Sequence, residues 1–239
     1  MSLQGRWNEV CSQTIGTDQF WKLSVDHRSA RFALGPMIAQ SARGIVLDAG
    51  AGRLAWRTAL KRQATKYLAT DYSKDHPDID FVCDLTAGIP LETGSIDTVF
   101  CCSVLEHVEN PFAALDELTR VLRPGGAMIL SVPFRYYLHG APVDYYRFTR
   151  YGVELLARRA GLEVERIETG GGLAHEMANA LSMAVASFTG TGRAGIAVAS
   201  ATSLVLWHVA GLIDKADRNG RFAQTVNAVL RKPLRTKIG

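Results

Sequence analysis

Apolar and polar positions alternate in blocks along residues 44–168. Short apolar runs bounded by glycine, proline or an acid predict buried strands. Strand one is Ile45-Val46-Leu47, strand two Tyr67-Leu68-Ala69-Thr70, strand three Phe81-Val82-Cys83 and strand four Thr98-Val99-Phe100-Cys101-Cys102. Strand five covers Ala127 to Val132, strand six Glu163 to Glu168, and Thr225 to Leu230 reads as a last strand. Helical spacing fills the gaps. A first helix is predicted over Leu54 to Arg62. A second starts at Asn110, a good N-cap, with Pro111 in the first helical position and Phe112, Leu115, Leu118 and Leu122 on one stripe. Arg123-Pro124-Gly125-Gly126 stops that helix. Thr149 caps a third, Arg150 to Ala160, which Gly161 closes. Such alternation predicts parallel βα units.

Two flanking regions break the alternation. Residues 1–43 carry the apolar anchors Trp7, Val10, Phe20, Trp21, Leu23, Phe32 and Leu34 and read as a helical layer on the sheet. Arg28 and Arg31 share one helical face there; the expectation is a solvated face, the alternative a lid that reaches a ligand carboxylate. After Gly170-Gly171-Gly172 the composition shifts to Ala, Ser, Gly and Val. The run Ala194 to Ile213 carries no formal charge and is long enough to cross a bilayer. Its many small residues suit close helix packing, so a buried helix pair covering one end of the sheet is preferred over membrane insertion.

Bulk properties narrow the partners. A 47% hydrophobic and 21% charged composition is that of a globular chain, and 239 residues suffice for one large domain. The net charge of +4 is mild. The basic tail (Arg231, Lys232, Arg235, Lys237) has no interleaved aromatics, so nucleic-acid binding is not expected. The cysteines Cys11, Cys83, Cys101 and Cys102 show no CxxC spacing. They suggest reduced thiols in a cytoplasmic protein and no metal site. The polar start of the chain predicts no secretory leader. Monomer and homodimer both stay open.

The chemistry centres on Asp48-Ala49-Gly50-Ala51-Gly52, where strand one meets a tight turn. Glycine permits positive φ and close backbone approach to a ligand. Asp71 follows about twenty residues later, the spacing at which a doubly wound fold sets a carboxylate on a ribose. Gly50 to Ala55 also satisfies the dinucleotide pattern G-x-G-x-x-G/A. Asp48 argues against it, because a carboxylate there would repel a pyrophosphate. It suits a cofactor bearing an ammonium and a sulfonium.

Val46 to Gly52 resembles motif I of the class I S-adenosylmethionine-dependent methyltransferases. Asp71, Cys83-Asp84-Leu85, Gly94 to Val99, Ser103 to Val108 and Leu122 to Gly126 follow in the family's order. The block is similar to the type 11 methyltransferases, which include quinone-biosynthesis enzymes. The resemblance implies an α/β fold: a three-layer Rossmann-like class I methyltransferase sheet of seven strands, the last antiparallel. An N-terminal helical layer and a helical insertion between strands six and seven complete it. The chain then reads as one domain, with 1–43 the helical layer, 44–171 the cofactor-binding core, 172–222 the apolar insertion and 223–233 the last strand.

The resemblance also implies roles. Gly50 and Gly52 pass under S-adenosylmethionine; Asp48 orders the loop and favours the cationic end. Asp71 takes the ribose hydroxyls, Asp84 the adenine amino group with Leu85 nearby, and Ser103 lies beside the methionine moiety. Ala49 and Tyr72 complete the set. Arg53-Leu54 departs from the usual small residue and third glycine, and Trp56-Arg57 marks a subset of relatives.

For the acceptor, Tyr136, Tyr137, His139, Asp144, Tyr145, Tyr146 and Arg147 crowd one loop. His139 and Asp144 could act as base and orienter, and Tyr145, Tyr146 and Arg147 could wall a substrate pocket. A structural latch with Arg147 on Asp144 is the equal alternative. His107 could face the methyl group, or be structural. The apolar insertion points to a hydrophobic or lipid-like metabolite methylated on oxygen or carbon, and to possible peripheral membrane contact. A nicotinamide-dependent oxidoreductase and a non-catalytic cofactor-binding or membrane-associated module are the competing readings.

Overall fold

A computed structural model describes residues 2–216 and 220–234. Arg235 and Lys237 of the basic tail lie outside the described residues. The described residues gather into two compact units, one of residues 36–169 with the chain from 225 onward, the other of residues up to 35 with 170–224.

The first unit holds a seven-stranded sheet in the order β3-β2-β1-β4-β5-β7-β6. Its strands are β1 (Gly44–Ala49), β2 (Ala64–Asp71), β3 (Phe81–Val82), β4 (Ile96–Cys102), β5 (Leu122–Pro133), β6 (Glu163–Gly170) and β7 (Thr225–Arg231). β1 pairs in parallel with β2 and β4, β4 with β5, and β7 runs antiparallel to β5. The register sets Leu68, Leu47, Val99, Met128 and Leu230 side by side in one row across five strands. Side chains alternate faces along a strand, so this row points one way, and the next row (Phe100, Ile129, Val229) points the other. Four of the first row's residues and all of the second's are buried, Leu68 partly so; a sheet covered on both faces has that signature.

Two helices of this unit, α4 (Pro111–Val121) and α5 (Arg150–Arg159), share a core with the Leu47 row. α4 begins as the sequence predicts: the Asn110 side chain accepts from the Ala113 N–H at 3.1 Å. Its buried stripe is Pro111, Ala114, Leu115, Leu118 and Val121. Phe112 stands outside the stripe, with the Arg159 guanidinium 4.6 Å above its ring. The far end of α4 is capped from a distance. Lys232 Nζ donates to the Thr119 and Leu122 carbonyls at 2.7 Å each, setting a cation where the helix dipole is negative. The helix predicted from Leu54 forms only as the short α3 (Arg57–Lys61), because Leu54 sits at φ +62°, outside the helical region.

The second unit contains α1 (Leu3–Thr14), the N-terminal part of α2 (Val25–Ser41), α6 (Leu173–Thr189) and α7 (Arg193–Ile213). The N-terminal helices and the insertion thus build one body. Trp7, Val10, Leu23, Ala186 and Ala199 form its core. His27 packs against the Phe20 ring, 4.0 Å between centroids, and its partial burial lowers its pKa to about 4. The buried positions of α6 and α7 are mostly small residues, among them Ser182, Ala186, Gly195, Ala199 and Ser203. A Cβ at Gly195 would come 2.2 Å from the Thr189 carbonyl oxygen, so only glycine allows that approach. Asp214, just after α7, accepts from the Ala174 and His175 N–H groups and so caps α6, whose own N-cap is a glycine. The outer faces stay open: Met177, Leu181 and Phe188 on α6 and Val205, Leu212 and Ile213 on α7 are exposed. The buried pair expected from the sequence is therefore buried along its small-residue seam alone.

Candidate functional site

The carboxyl ends of β1 to β4, with part of the loop after β5, frame a cavity of about 660 Å³. At the end of β1, Gly50 and Gly52 turn the chain with φ +75° and +51°. A Cβ on Gly50 would lie 2.2 Å from the Val104 side chain, whereas one on Gly52 would meet nothing within 4 Å. Gly50 is therefore small for packing, and Gly52 leaves bare backbone on the cavity wall. The turn is tied to β2. Gly50 and Ala51 N–H both donate to the Thr70 carbonyl at 2.9 Å, and Gly52 N–H donates to Asp71 Oδ2 at 2.7 Å.

Gly50, Gly52, Asp71, Tyr72, Asp84, Leu85 and Ser103 all line this one cavity. Asp71 Oδ1 accepts from Tyr72 N–H at 2.8 Å. Hydrogen bonds from the Thr86 hydroxyl and then its N–H hold Asp84 below the usual carboxylate pKa, keeping an anion at the end of β3. Ser103 adopts φ +54°, an uncommon conformation for a residue with a Cβ, just past β4. Asp48 and Ala49 stand apart from this wall. Both are buried, and Asp48 accepts from the Tyr67 hydroxyl at 2.6 Å. Burial raises the Asp48 pKa to about 7, with the Tyr67 hydrogen bond opposing and the Asp71 charge adding.

The acceptor candidates lie on the 3₁₀ turn Leu105–His107 and on the loop between β5 and α5. Tyr145 and Tyr146 N–H both donate to the Glu106 carbonyl, at 2.8 and 3.2 Å, which fastens the loop to the turn. His107 and Tyr145 line the cavity, together with Val143 and Asn110. His139, Asp144, Tyr146 and Arg147 stand behind that wall. Arg147 grips Asp144 through two bonds, 2.6 and 2.9 Å, and donates to the Tyr136, Tyr137 and Tyr146 carbonyls. The Asp144 side chain is 1% exposed, and Arg147 holds its pKa well below the usual range. The latch is thus built, and His139 is part of it: its N–H donates to Asp144 Oδ2 at 2.7 Å, and its ring Nδ1 lies 3.4 Å from the same oxygen. Burial lowers the His139 pKa, and the Glu106 and Asp144 carboxylates outweigh it, so the net value is raised.

Arg28 and Arg31 have no part in this cavity. Arg28 donates to Ser203 and to the Ser200 carbonyl, and Arg31 pairs with Asp18.

The family profile described as "Methyltransferase domain", of type 11, matches residues 47–130. Residues 47–130 thus carry the pattern of a methyltransferase domain of type 11. Relatives include a "Demethylmenaquinone methyltransferase" of Clavibacter sepedonicus, 27% identical over 54% of this chain and 53% of its own. A "Ubiquinone biosynthesis O-methyltransferase" of Xanthomonas oryzae pv. oryzae is 28% identical over 54% of this chain and 57% of its own. The chain spans about half the length of such curated relatives. Among solved structures, a SAM dependent methyltransferase from Archaeoglobus fulgidus aligns with TM-score 0.58 at 15% identity, covering 87% of this chain and 95% of the other. The cyclase SpnF aligns with TM-score 0.57 at 16% identity, covering 85% and 81%. These likenesses concern the fold.

The methyltransferase domain match takes in the glycine turn, Asp71, Asp84, Ser103 and His107. It ends before the loop that carries His139, Asp144 and Tyr145. Sequence reasoning passed over Glu106 and Tyr67. Glu106 is 0% exposed, and neither of its carboxylate oxygens has a hydrogen-bond partner among the described residues. The signal was present: an acid between Leu105 and His107, within a motif quoted only for its family likeness. Tyr67 carried none, since a strand tyrosine beside an acid is visible only once β1 and β2 are paired.

Proposed function

We propose that the chain transfers a methyl group from S-adenosylmethionine to an oxygen or carbon of a hydrophobic, lipid-like small molecule. The observation that carries this reading is the pair of carboxylates, Asp71 and Asp84, at consecutive strand ends around a bare glycine turn in one cavity. Its volume of about 660 Å³ falls within the range of small-molecule sites. Asp71 would hold the ribose hydroxyls, Asp84 the adenine edge, and Ser103 would lie beside the amino-acid end. Bound there, the cofactor supplies an electrophilic methyl group. The chain's own residues orient the acceptor and exclude water. His107 and Tyr145, which line the same cavity, would touch it.

The apolar character of the acceptor rests on α6 and α7. Residues 193–216 reach a mean hydropathy of 1.9 over an 18-residue window of which 17% is buried. This open apolar face suits peripheral contact with a lipid surface, where such acceptors reside. Full-length chain should float with phosphatidylglycerol vesicles, and Leu212→Glu with Val205→Glu should leave it in the soluble fraction. Equal flotation of both would remove the membrane contact.

Titration calorimetry with S-adenosylmethionine and with its demethylated product tests the main reading. Binding of either is expected, and Asp71→Ala should weaken it by about 1–3 kcal/mol through lost hydrogen bonds to a charged group. Binding of NAD with no affinity for either ligand would favour an oxidoreductase instead.

A further inference from the structure

Three side chains meet at the cavity wall around one buried carboxylate. Glu106 is fully buried, and its two carboxylate oxygens find no hydrogen bond among the described residues. His107 Nε2 lies 3.8 Å from Glu106 Oε1, and His139 Nε2 lies 3.7 Å from the same oxygen. One ligand atom from each residue falls within 4.8 Å of the other two. The other ring nitrogens show which way the lone pairs point. His107 Nδ1 sits 2.6 Å from the Val143 carbonyl, and a carbonyl can only accept, so Nδ1 carries the proton. His139 Nδ1 faces the Tyr137 carbonyl at 3.2 Å and Asp144 Oδ2 at 3.4 Å, again acceptors only. In the neutral tautomers that these contacts select, each imidazole turns its Nε2 lone pair toward the buried carboxylate. Three electron-rich atoms facing one point in a low-dielectric site repel one another unless a proton or a metal ion stands between them.

We propose that Glu106, His107 and His139 form a site for a divalent transition-metal ion of the zinc class. The ligand set is two imidazoles and one carboxylate, the donors such ions take in catalytic sites that leave positions open. Bond lengths of about 2.0–2.2 Å place tetrahedral ligand atoms about 3.4 Å apart, a few tenths of an ångström inside the two histidine–carboxylate separations seen here. The supporting contacts are those of metal-bound histidines, with Nδ1–H donated to a carbonyl or a carboxylate that fixes the ring. The Asp144–Arg147 latch thereby acquires a purpose beyond closing the loop, since it orients His139. Gly140 contributes space: a Cβ there would come 2.9 Å from His107 Cε1. His107 also lines the cavity, so an ion at this point could hold an oxygen of the acceptor; that last step rests on the methyl-transfer reading, while the site itself does not.

The test uses untagged full-length chain stripped with a chelator and dialysed against Zn²⁺, then against Co²⁺. One ion per chain is expected, with the visible absorption of nitrogen-ligated cobalt. His107→Gln, His139→Gln and the isosteric Glu106→Gln should each weaken binding at least tenfold and remove that absorption, and His208→Gln on α7 should change neither. Circular dichroism and calorimetry with the demethylated cofactor on the same samples separate lost folding, or a failed methyltransferase reading, from a failed metal site. Ion binding by the wild type no tighter than by the His107→Gln, His139→Gln double variant would overturn the proposal and leave the cluster as a proton-sharing pair.

Discussion

The glycine turn after β1 and the aromatic loop before α5 stand at the same edge of the sheet and are built by opposite means. The turn works with backbone: three N–H groups fix it, through the Thr70 carbonyl and Asp71, and glycine supplies its conformation. The loop works with side chains: Arg147 ties down Asp144 and three carbonyls, and His139 and His107 reach Glu106 from positions 33 and one residue away. A backbone site restricts residue types within a few consecutive positions. A side-chain site restricts pairs far apart in the chain. Their faults should therefore separate, the turn failing in cofactor affinity and the loop failing in stability.

Removing the loop's anchor should have the largest effect. Arg147→Ala leaves the Asp144 carboxylate, 1% exposed, without its guanidinium. Breaking a buried pair from one side costs about 3–5 kcal/mol, and the lower end applies because a quarter of Arg147 is solvated. Urea unfolding should show a loss of about 3 kcal/mol, while affinity for S-adenosylmethionine stays within about 0.5 kcal/mol of wild type. An equal loss of cofactor affinity would mean that turn and loop are one cooperative structure.

The next test lies beneath the turn. Asp48 has a folded pKa of about 7 against an ordinary value of 3.8. A carboxyl whose pKa is raised by folding stabilises in its protonated form, fully below the unfolded value, and loses that contribution as pH rises through the folded value. The loss between pH 5 and 8 is about 2–3 kcal/mol. His27, held near 4, acts in the other direction, since its stabilising neutral form is lost as pH falls from the ordinary 6.5. The two partly cancel in the wild type. The difference between wild type and Asp48→Asn isolates the carboxyl: Asp48→Asn should gain relative stability as pH rises from 5 to 8. A difference that is flat with pH would show that Asp48 is already ionised and solvated at pH 5, as a turn acid facing the cofactor would be.

That distinction also marks how far the sequence could be read. The strands, the glycine turn and the acids after β2 and β3 were legible, because each follows from local periodicity or from a residue type that a tight turn demands. Asp48 was legible as an acid but not as a buried one, since its environment depends on Tyr67 from the neighbouring strand. Arg28 and Ser203 lie 175 residues apart and Val25 and Ser182 157, and nothing local told that they would be joined. Phe112 and Leu54 failed for physical reasons: one was drawn out to Arg159, the other sits at positive φ. Glu106 was written inside a familiar motif, and its burial became visible only when the loop folded over it.

The smallest effect gives the finest resolution, because Tyr145 and Tyr146 are neighbours in the same loop with different tasks. Tyr146 donates its hydroxyl to the Glu109 carbonyl at 2.8 Å and stands off the cavity wall. Tyr145 lines the cavity, and its hydroxyl reaches the exposed Glu109 carboxylate at a long 3.3 Å. Tyr146→Phe should lower stability by about 0.5–1 kcal/mol, and Tyr145→Phe by no measurable amount. Chemical nitration of the wild type, read by mass spectrometry, should then reverse the order of sensitivity. The two rings are similarly exposed, at 43% and 38%, so both react in the free chain. The demethylated cofactor should protect Tyr145 and leave Tyr146 reactive, since a ligand filling the cavity covers one ring and not the other. Equal protection would place both tyrosines on the ligand and extend the acceptor site behind the wall, toward Glu106 and His139.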